Sequence, residues 1–278
     1  MLSEKPGRLN TPDDLVMKII FFGDIVGQPG RQALKKIIPQ WQKKYQPDLI
    51  LANGDNLAHG KGITERSLQE VLRTGVDLIT SGDHIWSKKE QAFSLLEKKK
   101  IPLIRPANMS ADLPGQGYQI IELRTKKILV INLIGQTFMK EEYDNPFKKA
   151  DQILDEQEGE ADIIIVDWHA EATSEKICLG WYLDGRVSAV LGTHTHIPTA
   201  DEQILPQGTA YISDIGMVGP KNSSLGADKE LSIKHFLDKT PFKYKVAAGP
   251  VEVNAVLIET DKNNRGKKIA RLRKIIEL

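Results

Sequence analysis

The sequence predicts an α/β fold with more than one sheet and helices on the outside, and three observations carry that expectation. Strand-loop-helix units follow one another three times near the start, a β-branched and wholly apolar run stands in the middle, and two hairpin patterns interrupt the alternation. The 278 residues contain no internal repeat, low-complexity tract or linker, so residues 17–278 are expected to form one domain behind a flexible extension over 1–16.

The elements follow in order. Residues 19–22 are an apolar run broken by Gly23-Asp24, and Pro29-Gly30-Arg31 opens a helix to about Tyr45. Residues 49–52 end in Asn53-Gly54-Asp55-Asn56; Thr64, with Ser67 three residues on, is the expected N-cap of a periodic segment carrying Leu68, Val71 and Leu72. Residues 76–80 run into Ser81-Gly82-Asp83-His84 and a helix with Phe93, Leu95 and Leu96. Three such units call for parallel pairing. Residues 118–123 and 128–134 then flank Arg124-Thr125-Lys126-Lys127 as a hairpin, which makes the sheet content mixed. The run 163–166 reads as a strand buried on both faces and ends in Asp167-Trp168-His169, with Glu171 to Lys176 following as a polar loop. Residues 187–191 end in Gly192-Thr193-His194-Thr195-His196, and 209–213 end in Asp214-Ile215-Gly216. A closing hairpin, 253–260 with 268–276, completes a two-sheet arrangement with outer helices.

Composition removes several function classes. Lys plus Arg number 38 against 37 Asp plus Glu, so no charge footprint points to a nucleic acid or an anionic membrane surface. The single cysteine, Cys178, excludes an internal disulfide and a Cys-based zinc site, and is expected to be a small buried or half-buried side chain in a reducing compartment. No apolar stretch reaches the ~18 residues of a membrane span. The polar opening segment lacks the core of a signal peptide, so the expected location is the cytoplasm.

The polar residues that follow successive strands are Asp24, Asp55-Asn56, Asp83-His84, His169 and His194-Thr195-His196. Ligands of open α/β sheets bind outside the carboxyl ends of the strands, so these loops are expected to meet. Period two along an extended segment would put His194 and His196 on one side. Mixed carboxylate and imidazole donors suit Mn, Fe or Zn, and there are too many for one tetrahedral ion. Two ions ~3.5–4 Å apart would use them all, with one bridging carboxylate and an activated water placed for in-line attack on a phosphoester.

The series Gly23-Asp24, Gly54-Asp55-Asn56, Gly82-Asp83-His84, His169 and Gly192-x-His194-x-His196 resembles the calcineurin-like metallophosphoesterase superfamily. Residues 23–31, Asn53-Gly54-Asp55-Asn56, Lys61-Gly62-Ile63-Thr64, Arg105-Pro106-Ala107-Asn108, 169–176 and 214–220 are similar to the YmdB-like branch of bacterial cyclic-nucleotide phosphodiesterases, over nearly the whole chain. The resemblance implies a four-layer αββα sandwich of two mixed sheets. It implies two divalent or trivalent metal ions, iron or manganese first and zinc next. Asp24, Asp55 and His196 would hold one ion; Asp55, Asp83, His169 and His194 the other, with Asp55 bridging. His84 would be the general acid to a metal-bridging hydroxide, and Asn56 would hydrogen-bond a phosphate oxygen. The substrate implied is a nucleotide phosphodiester, including 2′,3′-cyclic nucleotides, with no membrane and no stable nucleic-acid partner; a homo-oligomer is compatible with the sequence.

Three positions depart from that pattern. Val26 stands where the superfamily has His, an absence that the YmdB-like branch shares and that leaves the first ion under-ligated, Asp55 where the branch has Glu, and Asp83 where Asn is expected. Asp83 adds negative charge beside the metals and His84, which should tighten cation binding and raise the His pKa. A phosphomonoesterase or phosphoprotein phosphatase would use the same core, and Val26 with Asp83 leaves open a metal- and nucleotide-binding regulator of weak activity. His59 belongs to a glycine-rich rim loop without an assigned role, and His235 is expected to be structural. Lys267, Lys268, Arg271, Arg273 and Lys274 read as the solvated face of an edge hairpin.

Overall fold

The computed structural model describes residues 16–98, 100–239, 241 and 244–278. The expected extension 1–16 lies, Val16 aside, outside the described residues. Among those described, no helix is long and apolar enough to cross a membrane.

The first sheet is built from the three early units and the chain's end. β1 (Lys18–Phe22), β3 (Leu49–Asn53) and β4 (Leu78–Thr80) pair in parallel, joined by α1 (Gly27–Tyr45) and α2 (Glu65–Leu72). Thr64 caps α2 as expected: its side chain accepts from Ser67 N and the Ser67 hydroxyl accepts from Thr64 N, a reciprocal capping box. The third unit continues through a 3-10 turn, Ile85–Lys88, into α3 (Lys89–Leu96). The closing hairpin, β12 (Val251–Thr260) and β13 (Gly266–Ile276), adds to β1 antiparallel through β12, and β13 pairs with β12. Two short strands, β2 (Asp24–Ile25) and β11 (Met217–Pro220), extend the sheet beyond Gly23.

The second sheet runs β5 (Tyr118–Leu123), β6 (Lys126–Ile134), β7 (Ile163–His169), β8 (Ala189–Thr193), β10 (Ala210–Ile212) and β9 (Gln203–Ile204). β5–β6 is the expected antiparallel hairpin, whereas β6–β7, β7–β8 and β8–β10 are parallel. α4 (Pro146–Glu156) and α5 (Thr173–Tyr182) are the crossovers.

Alternation along the strands sorts the core into three layers. Ile19, Phe21, Leu49 and Leu51 of the first sheet meet Ile128, Val130, Ile163, Ile165 and Leu191 of the second. The intervening residues Ile20, Phe22 and Ile50 face outward to Leu34, Ile37 and Trp41 of α1, with Trp41 stacked on Phe22 at 5.4 Å between ring centroids. On the far side Leu129, Val166 and Val190 pack with Ile153 of α4 and Leu179 of α5. Each such buried side chain contributes ~1.5–3 kcal/mol. The architecture is therefore helix, sheet, sheet, helix.

Two expectations change. Residues 171–176, read as a polar loop, already enter α5 at Thr173. Cys178 is exposed, because α5 turns Lys176, Leu179 and Gly180 inward and presents the positions between them to solvent. His235 lies on α6 (Lys229–Asp238), and the basic residues of β13 lie on the edge strand.

Candidate metal centre

The inner rows of the strands change chemistry at their carboxyl ends. Ile163 and Ile165 are followed on the same face of β7 by Asp167 and His169, Leu49 and Leu51 on β3 by Asn53, and Ala189 and Leu191 on β8 by Thr193. Asp167, Asn53 and Thr193 are wholly buried, and His169 is 1% exposed. Just beyond lie the loops carrying Asp24, Asp55, Asp83, His84, His194 and His196.

The histidine pair does not converge by strand alternation. β8 stops at Thr193, and His194 and His196 adopt left-handed backbone conformations, φ 98° and 66°. Such positions cost non-glycine residues about 1–3 kcal/mol each. The surroundings hold them: His194 N donates to Asp24 Oδ2 at 3.0 Å and Thr195 N to Asp214 Oδ2 at 3.1 Å. Asp214 is itself fixed by Lys176, whose Nζ donates to Asp214 Oδ2 at 2.5 Å and to Thr193 O at 2.6 Å, with both side chains buried.

Each of the three imidazoles has one nitrogen committed outward. Thr193 gives its single hydroxyl hydrogen to Asp167 Oδ1 at 2.7 Å, so it accepts from His169 Nδ1 at 3.0 Å. His194 Nε2 lies 3.1 Å from Glu171 Oε2, and His196 Nδ1 lies 3.0 Å from the carbonyl of Leu225. Both partners only accept, so these nitrogens carry the hydrogens. The inward nitrogens then present lone pairs. His169 Nε2 and His194 Nδ1 are 3.0 Å apart, and lie 3.2 and 3.4 Å from Asp83 Oδ1. His196 Nε2 faces Asp24 Oδ1 at 3.8 Å, and that oxygen is buried without any hydrogen-bond partner.

Acceptors facing acceptors need a cation, and outward hydrogen bonds that leave the inner nitrogen free are how proteins orient metal-binding histidines. Asp83, His169 and His194 form one group able to hold an ion; Asp55, Asp83 and His84 form a second. Asp24 and His196 face each other but, among the described residues, complete no such triple.

Asp55 is wholly buried and turned toward the Gly82–His84 turn. Its Oδ1 accepts from Gly82 N at 2.7 Å and its Oδ2 from His84 Nδ1 at 3.0 Å, while His169 Nε2 is 3.8 Å away. Gly82 is required there: a Cβ would sit 2.1 Å from His169 Nε2. Asn56 donates its amide to Gly60 O at 3.1 Å and turns Oδ1 to His196 Nε2 at 3.2 Å. His59 is exposed on the rim.

Charge in the cluster is strongly negative before any cation is counted. Burial pushes the His84 imidazole down, yet its hydrogen bonds to Asp55 and Asp83 outweigh this and lift it to about 10. His169 goes the same way, depressed by burial but raised to about 9 by Asp83, Asp55 and Asp24. Burial would raise Asp83, and its contacts with His169, His194 and His84 instead hold it far below the usual carboxylate range. Protons and metal cations thus compete for the same lone pairs.

The structure brings Asp55, Asp83, His84, His169 and His194 together and sets Asp24 opposite His196, and it adds supports that the sequence did not single out, Asn53, Asp167, Thr193, Glu171, Lys176 and Asp214. Their one signal was position, one or two residues from a candidate ligand or inside the segments 169–176 and 214–220 that carried the resemblance.

Known proteins resemble this chain over nearly its whole length. The chain is 45% identical over 261 residues, 94% of its own length and 97% of the other's, to a Bacillus subtilis (strain 168) protein named 2′,3′-cyclic-nucleotide 2′-phosphodiesterase. A crystal structure described as a novel phosphatase from Mycoplasma pneumoniae superposes with a TM-score of 0.88 at 36% identity, covering 94% of both chains. One of a hypothetical protein from Thermus thermophilus gives 0.87 at 37%, covering 93% of this chain and 99% of that one. Residues 20–272 match the family described as YmdB-like protein, and the chain belongs to that family.

Proposed function

We propose that the protein is a metal-dependent phosphodiesterase of the cytoplasm, with residues 17–278 as one catalytic domain, acting on nucleotide phosphodiesters and on 2′,3′-cyclic nucleotides in particular. The observation that carries the reading is the convergence of imidazole lone pairs on the carboxylates of Asp83 and Asp24. The name of the Bacillus relative supports the substrate class.

In this reading Asp24, Asp55 and His196 hold one ion, and Asp55, Asp83, His169 and His194 the other. The mixed donors favour iron or manganese, with zinc next. Bound ions would polarise phosphoryl oxygens and acidify water to supply the nucleophile. The protein's own groups do the rest. His84, with its side chain 26% exposed, stands on the open side of the cluster. Its Nδ1 is held by Asp55 and Asp83 at 3.0 and 3.2 Å, which leaves Nε2–H free to protonate the departing alkoxide. Asn56 keeps one amide hydrogen for a phosphate oxygen.

The test is turnover of a 2′,3′-cyclic nucleotide and of bis-p-nitrophenyl phosphate by Mn-loaded protein, beside a monoester control. Hydrolysis of the diesters and its loss in His169→Ala are expected. No hydrolysis, or full activity in His169→Ala, would overturn the reading, and faster turnover of the monoester would make the enzyme a phosphomonoesterase.

A further inference from the structure

Beneath the candidate ligands lies a layer of side chains that are polar yet completely buried: Asn53 on β3, Thr80 on β4, Asn132 on β6, Asp167 on β7 and Thr193 on β8. They come from both sheets and close the apolar core that the sheets share. Asp167 is the one carboxylate among them. Its Oδ1 accepts from Thr193 Oγ1 at 2.7 Å and its Oδ2 from Asn53 Nδ2 at 2.9 Å, with the Thr80 hydroxyl as a further donor. All three donors are neutral. A buried carboxylate served only by neutral donors is costly to the fold, and Asn or Thr would fill the space at lower cost.

What Asp167 does is decide which way its neighbours point. Because Thr193 spends its single hydrogen on Asp167, its oxygen can only accept from His169 Nδ1. His169 Nε2 is then left as a lone pair aimed at Asp83 Oδ1, 3.2 Å away. Because Asn53 spends its amide on Asp167, its Oδ1 turns to accept Asp55 N at 2.9 Å. One side chain therefore reaches His169 of the second sheet and Asp55 at the end of a strand of the first.

We infer that Asp167 is a positioning residue for the metal centre: through Thr193 it sets the tautomer of His169, and through Asn53 it holds Asp55. This rests on the metal-centre reading above. Neighbours that orient metal-bound histidines typically change metal affinity ~10–100-fold when removed.

The experiment is Mn binding to purified full-length protein by calorimetry, for wild type, Asp167→Asn, Thr193→Val and Thr193→Ser, with thermal melts of the metal-free proteins alongside. Asp167→Asn and Thr193→Val should each weaken Mn binding ~10–100-fold, and the double variant should be no weaker than the weaker single. Thr193→Ser keeps the hydroxyl and should bind within a few-fold of wild type. If Asp167→Asn does not fold, the Thr193 pair decides alone. Variants that lose melting temperature but bind Mn like wild type would make the layer a structural clasp and overturn the inference while the function stands. A wild-type protein that binds no Mn would overturn the metal-centre reading and the inference with it.

Discussion

Around Asp83 the ligand atoms crowd together, with His169 Nε2 and His194 Nδ1 at 3.2 and 3.4 Å from its Oδ1. Around Asp24 they stand apart, with His196 Nε2 at 3.8 Å and an oxygen that no donor satisfies. The neighbouring chain differs in the same sense, since Val26, wholly buried, offers no donor beside Asp24, whereas Asp83 brings a full negative charge to its own side. On the metal-centre reading proposed above, the two ion positions would thus be unequal. The Asp83 side is preorganised by short contacts and by outward partners on both histidines, so it should bind first and tightly. The Asp24 side should fill second.

The sharpest way to break that asymmetry is to remove one histidine from each side. His169→Ala should abolish tight Mn binding and lower diester turnover by more than the ~10–100-fold typical of an outer partner. His196→Ala should retain the tighter ion and lose the weaker one, so that metal analysis of the purified variant finds about half the bound Mn.

Lys176 lies under both sides, and its loss should weaken them together. Lys176→Met strands the buried Asp214 carboxylate, and denaturant unfolding should show a loss of about 3–5 kcal/mol. A variant of wild-type stability would show that the pair is not what holds the His194–His196 turn.

pH sharpens the comparison on the Asp83 side. In the metal-free protein His169 and His84 lie above their ordinary value, near about 9 and about 10. Raised basic groups contribute stability that is complete below their unfolded pKa and disappears as pH climbs through the folded value. The metal-free protein should therefore lose melting temperature progressively from about pH 6.5, the ordinary histidine value, with the loss complete near about pH 10. Mn must displace the His169 proton, so affinity for the tighter ion should rise ~tenfold per pH unit up to about 9 and level off beyond it. Calorimetry in buffers of different ionisation enthalpy would measure the proton released.

The smallest effect belongs to Glu171, half exposed and holding His194 Nε2 from the solvent side. Glu171→Gln should weaken the first Mn by a few-fold, at or below the low end of the ~10–100-fold range, because water can replace the carboxylate. A change as large as that of His169→Ala would mean that Glu171 itself binds metal.

Much of this was legible in the chain. Each ligand candidate follows an apolar run, and strand ends are where such a fold gathers its ligands, so Asp24, Asp55, Asp83, His169, His194 and His196 could be picked out in order. Thr64 and Ser67 announced α2 by their own side chains. α5 gave no such signal. Its N-cap is Ala172, without a side-chain bond, and it contains Gly180, ordinarily a helix breaker. Gly180 is there because a Cβ would lie 2.5 Å from the Tyr211 ring, a contact visible only once β10 has packed on the helix. β11 was hidden in the same way, since Gly219 and Pro220 are poor strand formers although the strand pairs with β2 and β12. The histidine pair was found for an incomplete reason: both rings reach the cluster from left-handed positions that Asp24 and Asp214 hold, not from strand alternation.

The most direct test of the unequal pair is a stepwise Mn titration of metal-free protein with 2′,3′-cyclic nucleotide hydrolysis followed on the same samples. The account predicts two binding steps, the first much the tighter, with activity rising only as the second ion enters. Full activity with one equivalent bound, or two steps of equal affinity, would contradict it.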